Sequence, residues 1–319
     1  MNKVQIGKSG ILTTPIGLGT NAVGGDNLFP NLNDQKGIQI VRKGLNVGIK
    51  LLDTAYAYGM GHSEELIGQA IQGYDRSHFA IASKAAQDPS NGKVTINNSP
   101  QFLKQAVKDS LKRLRTNYLD IFYIHFPDRK TPKDQAVAAL NQLKQRGIIK
   151  AIGVSNFSLA QLKEANRNDQ VDVVEDQYSL LHRGAEQQLF PYLHQHNIAF
   201  VPYFPLASGL LTGKYSADHR PNFMKDDIRN RNPDFNNYYR YRRIIKAVNR
   251  LKPIATYRNA TVAQIVLAWY LKNPNVSVVI PGAKKIHEVV SNANARYVQL
   301  SDREYDTIDQ IFSNKMFQH

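Results

Sequence analysis

The sequence predicts an α/β fold, a single (β/α)8 or TIM barrel domain spanning residues 1–319. Two observations predict it. Short apolar runs alternate with amphipathic segments, the order expected of parallel strands joined by crossover helices. Eight such runs occur, and eight units favour a closed barrel over an open doubly wound sheet. Composition agrees with one sizeable core: 42% of residues are apolar and 21% charged, which is ordinary globular usage.

The elements follow in order. Val4 to Pro15 reads as an N-terminal β-hairpin that plugs the bottom of the barrel. The strand runs are Ile16–Gly19, Lys50–Asp53, Phe79–Lys84, Leu119–His125, Ile149–Ser155, Val171–Tyr178, Ala199–Pro205 and Val276–Ile280. They are apolar on consecutive positions, as strands buried on both faces are. Asp34 to Val47 is expected to be helical, with Ile38, Val41 and Leu45 near period 3.6. Ser63 is expected to cap the next helix, with Glu64 and Glu65 in its first turn. Pro100 to Leu114 carries Phe102, Leu103, Val107, Leu111 and Leu114 on one stripe. Thr131-Pro132 opens a helix from Asp134 to Gln145, with proline in its first turn. Thr261 to Leu271 reads as a well-buried helix. The interval from Leu206 to Asn275 is about twice a usual unit, so a long loop is expected after strand seven, on the catalytic face.

Several classes of function are excluded. The chain has no cysteine, so disulfides, Cys-zinc sites, iron–sulfur clusters and thiol nucleophiles are ruled out. No stretch approaches 18 uninterrupted apolar residues, and Met1 to Gly7 lacks an apolar signal region. A cytoplasmic protein without membrane partners is the expectation. With 41 Lys and Arg against 26 Asp and Glu, the net charge is +15, which suits anionic ligands.

Four polar residues fall at strand C-termini or just beyond: Asp53, Tyr58, Lys84 and His125. Adjacent strand ends converge on one barrel mouth, so side chains 31 positions apart can be neighbours. The set fits proton transfer to a carbonyl oxygen. Tyrosine is a poor acid, with a free pKa of about 10, and an adjacent ammonium lowers it. Asp53 would hold Lys84 charged, while His125 would donate a hydrogen bond to the substrate oxygen. Each residue alone reads as an ordinary strand cap; four converging ones point to catalysis. Tyr56 is a decoy that would face away if the segment stayed extended.

The sequence resembles the aldo-keto reductases, and within them the bacterial IolS-type group. The resemblance rests on Gly17-Leu18-Gly19-Thr20-Asn21-Ala22, Asp53-Thr54-Ala55, Tyr58-Gly59, Gly153-Val154-Ser155-Asn156-Phe157, Tyr203-Phe204-Pro205-Leu206, Ser208 to Tyr215 and Ile280 to Lys284. It spans nearly the whole chain and implies that the same four residues are the catalytic tetrad. It implies NADP(H) at the barrel mouth, with NAD(H) the weaker alternative. Gly19, Thr20 and Asp53 would border the cofactor. Ser155 and Asn156 would grip the carboxamide beside Gln177, and Tyr203 would stack on the nicotinamide. The pyrophosphate would lie under Leu206, Ser208, Gly209, Leu211 and Lys214. Pro281, Gly282 and Lys284 lead into a final helix whose N-terminus suits a phosphate, with Lys284 meeting the 2′-phosphate. Lys285 reads as a solvated lysine. Glu288 departs from the Gln or Arg usual there, Ser291 replaces an acid, and Asn292 is retained.

Residues 220–258 hold eleven Lys or Arg against three Asp, interleaved with Tyr238, Tyr239 and Tyr241. A solvated helix drawing in a dinucleotide is favoured over nucleic-acid binding, because Ile244, Ile245, Val248 and Leu251 supply a core face. No metal site is expected. His194 and His196 point to different helix faces, and His62, His78, His182, His219, His287 and His319 are read as isolated and exposed. The expected function is NADPH-dependent reduction of small aldehydes or ketones, with Tyr58 as general acid. Asn21 to Asn31, with Phe29 and Phe126, would line the substrate pocket. The competing reading is a cofactor-sensing binding module with little turnover, against which the intact tetrad argues.

Overall fold

The computed structural model describes residues 3–90, 92–313 and 317. Met1, Asn2 and His319 lie outside them. A short hairpin, β1 (Val4–Gln5) and β2 (Leu12–Thr13), precedes the main sheet. The alternating units then run β3 (Leu18–Gly19), α1 (Asp34–Asn46), β4 (Leu51–Asp53), α2 (His62–Ala70) and β5 (Ala80–Ala85). A small antiparallel hairpin, β6 (Gln87–Asp88) and β7 (Thr95–Ile96), follows. The sequence pattern did not announce it, since its residues are mostly polar and its strands two residues long. Next come α3 (Pro100–Leu114), β8 (Leu119–Ile124), α4 (Lys133–Gln145), β9 (Ile149–Ser155), α5 (Leu159–Ala165), β10 (Val173–Gln177), α6 (Ala185–Gln195) and β11 (Ala199–Tyr203). The excursion after β11 holds α7 (Pro233–Asn236), α8 (Tyr238–Asn249) and α9 (Lys252–Tyr257). It ends at α10 (Val262–Lys272), with α11 (Ile286–Asn294) and α12 (Asp302–Phe312) beyond.

Seven strands form one parallel sheet, in the order β11-β10-β9-β8-β5-β4-β3. The eighth run, Val276–Ile280, does not make a continuous ladder. It closes the gap through single backbone bonds: Ser277 N–H to Phe200 O (2.9 Å), Val279 N–H to Pro15 O (3.0 Å) and Gly17 N–H to Val279 O (2.8 Å). Pro274 and Pro281 flank the segment, and proline donates no N–H to a ladder. Leu51, Ala82, Ile121, Tyr123, Ala151, Val173 and Val201 form the interior cluster, which Ile6 and Ile11 of the hairpin segment join. Gly153 is required there: a Cβ would stand 2.1 Å from the Tyr123 ring.

Two helix starts differ from expectation. The N-cap of α2 is Gly61, at φ 103°, not Ser63. Ser63 is buried in the first turn and bonds Thr20 and Thr54. Glu64 serves no helix dipole at the surface; it is buried, bonding Arg113 (2.6 Å) and Ser83 (2.5 Å). Tertiary partners took over side chains that local rules had assigned to capping. Pro132 is the N-cap of α4, just outside its first turn.

Candidate active site

The strand C-termini bring Asp53, Lys84 and His125 to one end of the barrel. Asp53 ends β4, Lys84 lies on β5 beside Tyr123 of β8, and His125 follows β8. Lys84 is fully buried, and its Nζ donates to Asp53 Oδ1 (2.5 Å) and to the Thr54 carbonyl (3.0 Å). Glu175 of β10, which sequence reasoning missed, brings Oε2 to 3.2 Å from the same nitrogen. The ammonium stands 5.6 Å from the Tyr58 ring centroid and 5.4 Å from that of Tyr123. Tyr58 meets His125 edge-on, with centroids 6.3 Å apart. Tyr56 leaves the site, as expected, but through a turn rather than strand alternation; Arg113 covers its ring at 5.0 Å.

Electrostatics departs from the simple expectation at Tyr58. Burial pushes its pKa up, and this outweighs the lowering by Lys84; Asp53 and Glu175 raise it further. Lys84 would be discharged by burial alone, but Asp53 and Glu175 more than offset that and hold it charged, well above the usual lysine range. Burial, aided by the Lys84 charge, lowers His125 to about 3. It is therefore a neutral imidazole at physiological pH, able to donate one hydrogen bond. Its Nδ1 is buried with no partner among the described residues.

Beside this floor lies a cleft of about 370 Å³. Leu206, Ser208, Gly209, Lys214, Pro281, Gly282, Lys284, Glu288 and Asn292 are among the residues that line it. Phe204, Ala207 and Ser208 all take left-handed backbone angles (φ 46–54°), and Gly209 takes φ 101°. The Ala207 and Gly209 N–H groups donate to the Phe204 and Leu206 carbonyls (2.8 Å each), so the turn closes on itself. Lys214 Nζ lies against Gly209, 3.0 Å from where a Cβ would stand. Lys284 Nζ sits 3.8 Å from the Phe29 ring centroid. Desolvation first, then Arg229 and Lys214, lower Lys284 to about 8. Arg229, also unforeseen as a site residue, reaches the cleft from the long excursion, braced by Asp227 (2.5 and 2.8 Å).

Other expectations are corrected. Leu211 is fully buried in the outer core and its N–H bonds Leu206 O, so it offers the cleft nothing. Thr20 is buried, its hydroxyl donating to Asp53 O (2.8 Å) and thereby bracing the strand. Ser155 and Asn156 bond one another (3.0 Å), and Asn156 Oδ1 accepts from the Tyr203 hydroxyl (3.0 Å), so this trio is prearranged. Gln177 is exposed opposite Tyr203; the buried acid two positions earlier, Glu175, reaches the tetrad instead. Phe29 lies in the cleft with Lys284, not beside Tyr58, whereas Phe126 stacks on His125 (4.7 Å). His62 is not isolated, since Asp34 (3.0 Å) and Glu65 (3.6 Å) flank it, and His182 pairs with buried Asp234 (3.3 Å). In the basic segment the expected core face is present, with Ile244, Ile245, Val248 and Leu251 buried; Tyr241 joins it, and Arg240 is bound to Asp234 rather than solvated.

A family model, the aldo/keto reductase family, matches residues 15–313. The chain belongs to the aldo/keto reductase family. By that membership it is an NAD(P)H-dependent oxidoreductase. It is 33% identical over 316 residues to aldo-keto reductase YhdN of Bacillus subtilis (strain 168), covering 98% of this chain and 94% of that one. It is 29% identical to the NADH-specific methylglyoxal reductase of Escherichia coli (strain K12), covering 95% and 96%. Among solved structures, the glycerol dehydrogenase AKR11B4 from Gluconobacter oxydans matches with a TM-score of 0.87 at 32% identity, covering 98% and 95%. An aldo-keto reductase from Klebsiella pneumoniae in complex with NADPH matches with a TM-score of 0.73 at 28% identity, covering 98% and 95%. These reductase neighbours support the (β/α)8 fold. Among the described residues, no helix is long and apolar enough to cross a membrane.

Proposed function

We propose that the chain, acting as one barrel domain closed at its base by the N-terminal hairpin, reduces small aldehydes or ketones with NADP(H). NAD(H) is the weaker alternative. The observation that carries this reading is the buried Lys84–Asp53 pair beneath half-buried Tyr58, with neutral His125, at the strand ends beside a cationic cleft. The cleft fits a dinucleotide. Lys214, Arg229 and Lys284 converge where Asp227 and Glu288 are the neighbouring acids, and Lys284 is held at about 8. An anion there would relieve cation–cation repulsion. Lys284 would hold the 2′-phosphate, the turn at Ser208–Gly209 the pyrophosphate, and Asn156 and Tyr203 the nicotinamide end. The motifs quoted above extend the reading to the IolS-type group, with cytoplasmic work on a small carbonyl substrate.

The reduced nicotinamide, when bound, supplies the hydride to the carbonyl carbon. His125 donates a hydrogen bond to the carbonyl oxygen and polarises it. The Tyr58 hydroxyl transfers its proton to that oxygen, and Lys84 stabilises the phenolate left behind. Because burial makes Tyr58 a weak acid, the Lys84 charge matters most at the moment of transfer. Asp53 keeps that charge in place. The test is NADPH consumption with a panel of small aldehydes, comparing the wild type with Tyr58→Phe. Turnover by the wild type and its loss in the variant is the expected result. Full activity in Tyr58→Phe sinks the mechanism. No wild-type turnover despite NADPH binding sinks the reductase reading.

A further inference from the structure

Glu175 is a buried acid two positions after Val173 on β10, on the face that Val173 turns to the barrel interior, while Val174 packs outward. Lys84 Nζ donates to Asp53 Oδ1 at 2.5 Å and to the Thr54 carbonyl at 3.0 Å, and Glu175 Oε2 stands 3.2 Å from the same nitrogen as an ion-pair partner. An ammonium has three N–H donors. One cation between two buried carboxylates leaves a net negative charge if both are ionised, and an uncompensated buried charge is strongly disfavoured. The cluster is therefore built to keep one extra proton. Asp53 Oδ2 is buried and receives no N–H or hydroxyl from the described residues. Glu175 Oε2 is likewise buried without a hydrogen bond, on the same ammonium that Asp53 accepts from, so one proton shared between the two carboxyls would satisfy both.

We propose that Glu175 is a positioning residue for the reduction, donating its carboxyl proton to Asp53 beside Lys84, so that the ammonium stays beneath Tyr58. The proposal rests on the reductase reading. The other titratable groups around it are Asp53 of β4, Lys84 of β5, Tyr123 of β8 and His125 beyond it, Tyr58 of its loop, neighbouring Asp176, and Tyr203 of β11. Burial, then the Asp53 charge, push Glu175 well above the usual carboxylate range, with Lys84 acting the other way. The neutral acid is the working form. As pH rises through its titration, the new negative charge makes Tyr58 a still weaker acid. Reduction then slows on the basic side.

Two measurements test this. The first is the infrared carbonyl band of a protonated carboxylic acid, in cofactor-free wild type and Glu175→Gln. A band present at neutral pH and missing in the variant is expected; its absence from the wild type overturns the proposal. The second is kcat against pH. Glu175→Gln, isosteric and still a donor, is expected to lower kcat by roughly 3- to 10-fold at neutral pH and to flatten the basic limb. Glu175→Leu, which cannot bond either partner, is expected to lower kcat by roughly 10- to 100-fold, with NADPH affinity little changed. Superposable pH profiles for wild type and Glu175→Gln overturn the proposal. Should the wild type reduce no carbonyl at any pH, the reductase reading alone fails, and the infrared band still decides the state of Glu175.

Discussion

The floor of the barrel mouth and the rim of the adjoining cleft both depend on lysine, and they treat it in opposite ways. On the floor, Lys84 is fully buried on a strand beside Glu175, and the Asp53 carboxylate holds it charged. At the rim, Lys284 stands just before α11 on the Phe29 ring, beside Arg229, and burial with its cationic neighbours lowers it to about 8. The floor has its counter-charges built in; the rim is short of them. On the proposed function, the difference separates a part suited to chemistry from a part suited to receiving a ligand. A reacting group must stay in one geometry with its field already organised, so strands and buried ion pairs hold it. A capture site gains more if its charge is best stabilised only when an anion arrives.

Breaking the floor is expected to have the largest effect. Tyr58→Phe keeps the ring and removes the proton, so kcat should fall about 1,000-fold, within the usual range for a general acid. Cofactor affinity by NADPH fluorescence should hardly change; a parallel loss of binding would mean that floor and rim are not separate parts. Next is the scaffold of the rim's long excursion. Buried Asp234 receives Arg240 and His182, and these partners hold it at about 2 despite burial. Asp234→Asn should lower unfolding stability by about 3 kcal/mol in urea titration, as breaking a buried pair does. Because the folded pKa is depressed, the wild-type advantage is present above about pH 4 and is lost as pH falls toward 2. An undiminished advantage at pH 2 would contradict that account.

The rim itself predicts smaller changes. Lys284→Ala should weaken NADPH about 10- to 30-fold and NADH far less, because a charge-assisted phosphate bond is lost. Equal losses for both cofactors would move the 2′-phosphate elsewhere. Smallest is the pH effect. Lys284 is charged below about 8 and neutral above it, so the NADPH dissociation constant should rise several-fold between pH 7 and 9. Lys284→Ala should flatten that rise.

Much of the floor was legible in the sequence because its residues close strands. Asp53, Lys84 and His125 end apolar runs, and in a barrel that position alone predicts convergence. Glu175 was missed although it interrupts such a run. Asp172 and Asp176 lie on the same stretch, and no period or motif separates them. Asp172 accepts from Ile152 N–H (2.8 Å) and Lys144 (2.6 Å), a structural duty, while Asp176 bonds its neighbour's backbone. Only the pairing register, which sets Glu175 beside Ser155, distinguishes the three. Arg229 was similarly hidden among eleven basic residues. Its role comes from Ile228 N–H bonding Leu28 O (2.9 Å), which brings the excursion against the first loop.

The sequence by itself determined the α/β alternation, the hairpin, the long excursion after strand seven and three of the residues that close the strands at the mouth. Hydrophobic period and strand-end position are local quantities, written into consecutive residues. The tertiary structure alone decided how charge is shared. It set Glu175 against Lys84, took Ser63 and Glu64 from helix capping into buried bonds, sent Leu211 into the core and placed Phe29 under Lys284. Those outcomes depend on desolvation and on partners 30 or more positions away in most cases, such as Lys84 and Asp53, 31 apart. A side chain's charge state is fixed by whatever surrounds it in space, which no local pattern records.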